Sequence, residues 1–256
     1  MDNTEMLSRK EFDGKAQDLA EVKRQLVLAN RILSMEGVVD AYGHVSMRNP
    51  ENPESFFISR SIAPAYVRSE DIIECATLDG AIFPEHAGKQ AYGERIIHAS
   101  VYEIRKDINA IVHAHPTALI PFTACDIPFG VVFHSASMFY EGIPLYQVSE
   151  ESGLHISTIN EAKSMAGCMG DKHGLFIRNH GMVVGFGMVQ QVVMASIYLA
   201  QAAEILQKTL AMGGRPRSVS FNEAKKSTEY LFGEVSLARS WGYWVRRAKE
   251  TYNDID

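Results

Sequence analysis

Between positions 15 and 35 apolar residues recur at Leu19, Val22, Leu26, Leu28 and Ala29, then at Ile32 and Leu33. A spacing near 3.6 predicts an amphipathic helix, which Gly37 would end. The period then shortens to two. Residues 43–48 alternate, cross a turn at Asn49-Pro50-Glu51-Asn52-Pro53 and resume at Phe56-Phe57-Ile58-Ser59, the pattern of a hairpin. Ser69-Glu70-Asp71 opens a strand over 72–78, and Asp79-Gly80 turns it back toward 81–83, predicting an antiparallel meander. Helical spacing over 93–104 leads into a β-branched strand over 108–115. Short strand fragments between 127 and 146 are broken by Pro128, Gly142 and Pro144. Helical spacing returns over 153–169, and 174–178 and 181–185 predict two strands hinged at Asn179-His180. The longest helix is expected over 190–212, closed by Gly213-Gly214. A last helix over 235–252 carries Trp241, Tyr243, Trp244, Arg246 and Arg247.

This order implies an α/β protein with a mixed, largely antiparallel sheet and helices on both faces. With 256 residues, 46% of them hydrophobic, one domain over 1–256 is expected, residues 215–256 forming a C-terminal helical extension. Neither an internal repeat nor a low-complexity segment interrupts it. A net charge of −6 and no lysine- or arginine-rich run argue against nucleic acid or a membrane surface as partner. Residues 1–14 are polar without an apolar core, and no run of about 18 apolar residues occurs, so a cytoplasmic protein is expected. Cys75, Cys125 and Cys168 are odd in number and widely spaced, which favours buried thiols over disulfides or a thiolate metal site.

Chemistry concentrates at Ala110-Ile111-Val112-His113-Ala114-His115-Pro116. On a strand, residues two apart project the same way, so His113 and His115 can share one metal ion. A lone histidine near an apolar strand is more often a hydrogen-bonded core residue. Here, however, Asn179-His180-Gly181 offers a third imidazole at a glycine-marked turn, and Glu94 opens the helix that precedes the strand. Three histidines and a carboxylate make an open site of the catalytic kind, suited to zinc, cobalt, manganese or iron rather than calcium or magnesium.

Glu94, the His113/His115 pair and Asn179-His180-Gly181, together with Gly43-His44-Val45-Ser46 and Tyr102-Glu103-Ile104-Arg105-Lys106-Asp107, resemble the class II aldolase/adducin family from about Leu26 to Leu210. The resemblance implies a three-layer α/β/α fold, a homotetramer with its site near a subunit boundary, and one divalent metal per subunit, zinc by default. Sugar-phosphate aldolases of the family grip phosphate with a Gly-Asn-Ile/Val-Ser turn, a Thr-Pro-Ser/Thr-Gly loop and a Ser-Ser pair before the glutamate. This chain departs at all three, with His44, with Ser59-Arg60-Ser61 and with Tyr92-Gly93. An arginine and an aromatic ring suit a planar carboxylate better than a tetrahedral phosphate. The chain looks most like the branch that decarboxylates hydroxyaromatic and heteroaromatic acids.

On that resemblance His113, His115 and His180 are the expected ligands and Glu94 the group that moves a proton. An acid role for Glu94 needs a raised pKa, which a neighbouring metal opposes. His44 is the second candidate for proton transfer, with a hydrogen bond that fixes its turn as the equal alternative. His98 shares a helical face with Glu94 and is expected to be structural. Arg60, with Ser59 beside it, is expected to hold a substrate carboxylate, and Tyr92, Phe133, His134 and Tyr140 are candidate walls for a flat ring. A class II aldolase acting on an unphosphorylated hydroxy-oxo acid, an iron-dependent oxygen enzyme and a non-catalytic adducin-like module remain the competing expectations.

Overall fold

The computed structural model describes residues 18–255. The expected helix start at residue 15 lies outside them. Helix α1 (Leu19–Met35) is capped by the Asp18 side chain, which accepts the Glu21 N–H. The hairpin strands β1 (His44–Arg48) and β2 (Ser55–Ser59) follow, then β3 (Ile72–Ala76). The meander stops there: beyond the Asp79-Gly80 turn only a single bridge, Cys75 to Ile82, forms before Pro84 starts a 3-10 turn. Helix α2 (Arg95–Ile104) leads into β4 (Ala110–Ala114), and a one-turn helix α3 (Ile120–Thr123) comes next.

The strand fragments expected over 127–146 are mostly a 3-10 helix at His134–Phe139, with only β5 (Leu145–Tyr146) extended. Helix α4 (Ile159–Met169) begins six residues later than its spacing suggested, because Thr158 caps it by accepting the Glu161 N–H. Strands β6 (Gly174–Ile177) and β7 (Gly181–Phe186) precede the long α5 (Val189–Ala211). The C-terminal segment holds two helices rather than one, α6 (Phe221–Leu231) and α7 (Glu234–Thr251).

The strands form one sheet in the order β3-β2-β1-β4-β7-β6-β5, antiparallel throughout except for the β5–β6 pair. Alternation divides its side chains between two cores. Val112, Val184 and Phe176 face one layer with Leu26, Val193, Trp241 and Trp244, which come from α1, α5 and α7. Ile111, Val183 and Ile58 face the other with Ile97 and Met165 from α2 and α4. The result is the expected three-layer α/β/α arrangement. Helix α5 is long and apolar enough to span a membrane, but 67% of that stretch is buried inside the protein, as a core helix requires. Trp241 and Trp244 of α7 are buried in the chain's own layer, while Tyr243 and Val235 on the same helix stay exposed. Of the three cysteines only Cys75 is buried; Cys125 and Cys168 are exposed, at the end of α3 and on the outer side of α4.

Candidate metal centre and its surroundings

The register of three strands lines up the first elements of the site. His44 on β1 pairs with His113 on β4, which pairs with Val183 on β7. Paired residues share a face, and this row faces the α2/α4 layer. Continuing the β1–β2 register from Ser46 and Ile58 places Arg60 across from His44, on the same face. His115 lies just past the end of β4 yet keeps the alternation, so its ring meets that of His113 at 4.7 Å.

His180 arrives from the β6–β7 turn. Asn179 adopts a left-handed φ of 52°, which asparagine tolerates better than most residues. Gly181 lies so close to β4 that a Cβ there would stand 2.4 Å from the Ala114 carbonyl oxygen and 2.7 Å from the His115 ring. The missing side chain is what lets the turn deliver His180 onto His115. Glu94 occupies the capping position of α2 without capping it. Its side chain instead reaches over the imidazoles.

The atoms converge. His115 Nε2 lies 3.1 Å from His113 Nε2 and 3.0 Å from His180 Nε2. Glu94 Oε2 is 3.4 Å from His113 Nε2, and its Oε1 is 3.6 Å from His180 Nε2. His113 Nδ1 donates to the Met182 carbonyl at 2.9 Å, which turns its Nε2 into the cluster. Three such nitrogens around a tetrahedral ion with bonds near 2 Å would stand about 3.3 Å apart, close to the spacing found. The donor set therefore fits a divalent metal. Burial, with His113 next, lowers His115 to about 3 and His180 to about 4, which leaves both lone pairs free at neutral pH. Burial raises Glu94, but His113, His180 and the Ile156 amide together outweigh it and bring the carboxyl down to about 2. Glu94 is thus an ionised acceptor at rest, not a standing acid.

Around the cluster the expected residues separate into two groups. Arg60 belongs to the site's face: Asp71 holds its Nε at 2.6 Å, and its two terminal nitrogens have no partner among the described residues. Ser59 is fully buried beside it. The Tyr92 hydroxyl bonds to the Ile62 carbonyl while its ring lies 4.6 Å from that of His44. Phe133, His134 and Tyr140 do not join them. Phe133 packs on Tyr198 of α5 and on His134, and Tyr140 on Phe221 of α6, in the layer on the opposite face of the sheet. Within one chain they are not walls of this site, because the 3-10 helix that carries them covers α5 rather than α2.

One residue near the cluster escaped the sequence reading. His155 stands at its open side, with Nδ1 3.8 Å from Glu94 Oε1 and its ring 5.7 Å from that of His180. Helical spacing over 153–169 placed it on a helix, whereas it sits on the loop whose Ile156 amide donates to Glu94 at 3.2 Å. No sequence signal marked that loop as part of the site.

The sheet order, the two helical layers and this centre define the class. The chain belongs to the class II aldolase and adducin N-terminal domain family, whose model matches residues 24–207. It is 27% identical to "Decarboxylase tropJ" of Talaromyces stipitatus, over 88% of this chain and 93% of that protein. It is 26% identical to the 3,4-dihydroxyphthalate decarboxylase of Arthrobacter keyseri, over 89% and 94% respectively. Among solved structures, an L-fuculose 1-phosphate aldolase from Glaciozyma antarctica superposes over 96% of this chain and 97% of its own, with a TM-score of 0.76 at 18% identity, which shows a shared fold.

Proposed function

We propose that the chain is a metal-dependent carbon–carbon lyase that removes carbon dioxide from a hydroxyaromatic or heteroaromatic carboxylic acid. The observation that carries this reading is the pairing on one sheet face of a three-imidazole, one-carboxylate cluster with the open guanidinium fork of Arg60. Similarity to two decarboxylases along nearly their whole lengths supports it.

His113, His115 and His180 would hold one divalent ion, zinc by preference, with manganese, cobalt and iron as alternatives. Such an ion polarises adjacent substrate oxygens and stabilises the electron-rich ring left when the bond breaks. The residues of the chain supply the rest. Asp71 fixes Arg60 through Nε, so the terminal nitrogens can take the carboxylate in two parallel bonds. Tyr92 offers its ring as a wall for the aromatic plane. Ionised Glu94 accepts the substrate hydroxyl proton. As the ring-to-carboxyl bond breaks, its electron pair stays on the ring carbon and takes that proton from Glu94, while the carboxyl group departs as carbon dioxide.

The test is a screen of hydroxybenzoates, hydroxyphthalates and hydroxypyridine carboxylates after adding zinc, manganese or cobalt, following carbon dioxide, beside a retro-aldol assay for aldehyde or pyruvate. Carbon dioxide release that needs metal and drops in Arg60→Ala is expected. Aldehyde without carbon dioxide would replace the reaction by an aldol cleavage. Release undiminished in Arg60→Ala would keep the reaction and discard the carboxylate clamp.

A further inference from the structure

Behind the metal centre runs a line of polar side chains that the proposed reaction does not use. His44 Nδ1 lies 2.7 Å from His98 Nε2, His98 Nδ1 lies 2.6 Å from Ser46 Oγ, and Ser46 Oγ lies 2.8 Å from the Tyr102 hydroxyl. His98, Ser46 and Tyr102 are fully buried and His44 nearly so. Beads of one thread, they alternate between β1 and α2, and Arg48 locks the two elements together by donating to the Tyr102, Arg105 and Ile108 carbonyls near the C-terminal end of α2.

Each contact could run in either direction, but the end of the line decides. The Tyr102 hydroxyl has no partner among the described residues except Ser46. If the protons ran from His44 inward, Ser46 would donate to Tyr102 and the phenol proton would be left buried without an acceptor, at the full cost of its desolvation. Running outward, the donor left over is His44 Nε2–H, and that nitrogen is not among the buried side-chain atoms without a partner in the described residues. Tyr102 donates to Ser46, Ser46 to His98 Nδ1, and His98 Nε2–H to His44 Nδ1. His44 must then carry its own proton on Nε2, the ring nitrogen with no partner among the described residues, on a ring 5.2 Å from that of His113.

We infer that Tyr102, Ser46 and His98 are positioning residues that fix His44 as the neutral Nε2–H tautomer, so that His44 acts as a hydrogen-bond donor to the substrate oxygen that gains charge, and not as a base. The role in turnover rests on the decarboxylase reading; the tautomer does not. Preorganised donors of this kind act where charge develops, and losing one typically costs about 10²–10³-fold in rate.

Two measurements test it on the full-length, metal-loaded protein. In nitrogen-15 NMR of histidine-labelled protein, the His44 ring, assigned by the signals lost in His44→Gln, should show a protonated Nε2 and a bare Nδ1. A protonated Nδ1 would overturn the inference whatever the reaction proves to be. In Ser46→Ala both tautomers of His98 leave Nδ1 unpaired, so a second His44 tautomer should appear. Turnover gives the independent check, because a glutamine amide can donate where the imidazole did but cannot serve as a base. His44→Gln should keep kcat within about 10-fold, while His44→Phe falls by on the order of 10²–10³-fold with KM little changed. Equal loss in both would reject the donor role. Failure of every substrate in the screen would reject the decarboxylase reading and leave the NMR result standing.

Discussion

Glu94 illustrates how one residue's surroundings set its chemistry. A glutamate at a helix start ordinarily gains from the helix dipole and from capping amides. Here the side chain leaves the cap, takes the Ile156 amide instead and settles against His113 and His180. Its carboxyl is held to about 2, so in the proposed reaction it would begin as a base and become an acid only after taking a proton. Glu94→Gln should therefore keep stoichiometric metal and lose about 10²–10⁴-fold in kcat. Metal analysis beside steady-state kinetics checks this, and unimpaired turnover would remove Glu94 from the reaction. His180→Ala has the opposite profile: it removes one of three converging nitrogens, so metal content and turnover should fall together. Full metal occupancy in that variant would strike His180 from the ligand set. His98 shares the helical face of Glu94 as its spacing indicated, yet its ring bonds His44 and Ser46, so it orients an imidazole rather than the carboxylate.

At the scale of elements, the β6–β7 turn is the device that assembles the centre. Its geometry makes a sharp expectation for Gly181→Ala: a methyl 2.4 Å from a backbone oxygen cannot be absorbed by a rotamer change, so β7 must shift away from β4 and carry His180 with it. Metal affinity should drop by on the order of 10–100-fold, the range seen when groups that orient metal ligands are lost, and calorimetric titration of the apo protein with zinc would measure it. Wild-type affinity would mean the turn tolerates the methyl. Elements with a clean period were legible in the sequence: α1, α5, α7 and the strands β1, β2 and β4 stand within a few residues of where their patterns put them. Helix α6 was not, because it is short and mostly polar and its start is marked only by the Ser220–Glu223 capping box. The 127–146 region also misled, since proline and glycine breaks look alike between strands and around a 3-10 helix. In the candidate site, the residues with local signatures, His113, His115, His180 and Glu94, were readable. What depends on how a helix docks on a sheet, namely the His44–His98–Ser46–Tyr102 thread, the approach of His155 and the placement of Phe133 and Tyr140 in the other layer, has no one-dimensional trace.

For the whole molecule, gathering imidazoles inside a fold has a consequence for its tolerance of acid. Burial holds His98 and His115 at about 3 and His180 at about 4, and burial with the neighbouring imidazoles holds His44 well below its ordinary value of 6.5. In the unfolded chain the same rings take up protons near 6.5. Between the folded and unfolded values the unfolded state binds more protons, so stability rises with pH there. The contribution is complete above about 6.5 and is lost as pH falls toward 3 to 4. Each such histidine adds a slope of about 1.4 kcal/mol per pH unit where it is fully protonated unfolded and neutral folded. Glu94, lowered from 4.5, adds a loss of its own only below about 4.5. Chelator-treated protein should therefore show urea midpoints that are nearly constant from pH 8 to 7 and decline steadily from 6.5 to 4.5. His44→Gln, which removes one buried imidazole and supplies an amide in its place, should decline less steeply over the same window. The metal-loaded protein should sit above the apo protein at pH 7, and the two curves should approach each other as protons compete with the ion for His113, His115 and His180. An apo protein whose midpoint stays flat down to pH 4.5 would mean that these rings accept protons inside the fold, and the picture of neutral, inward-facing imidazoles would have to be given up.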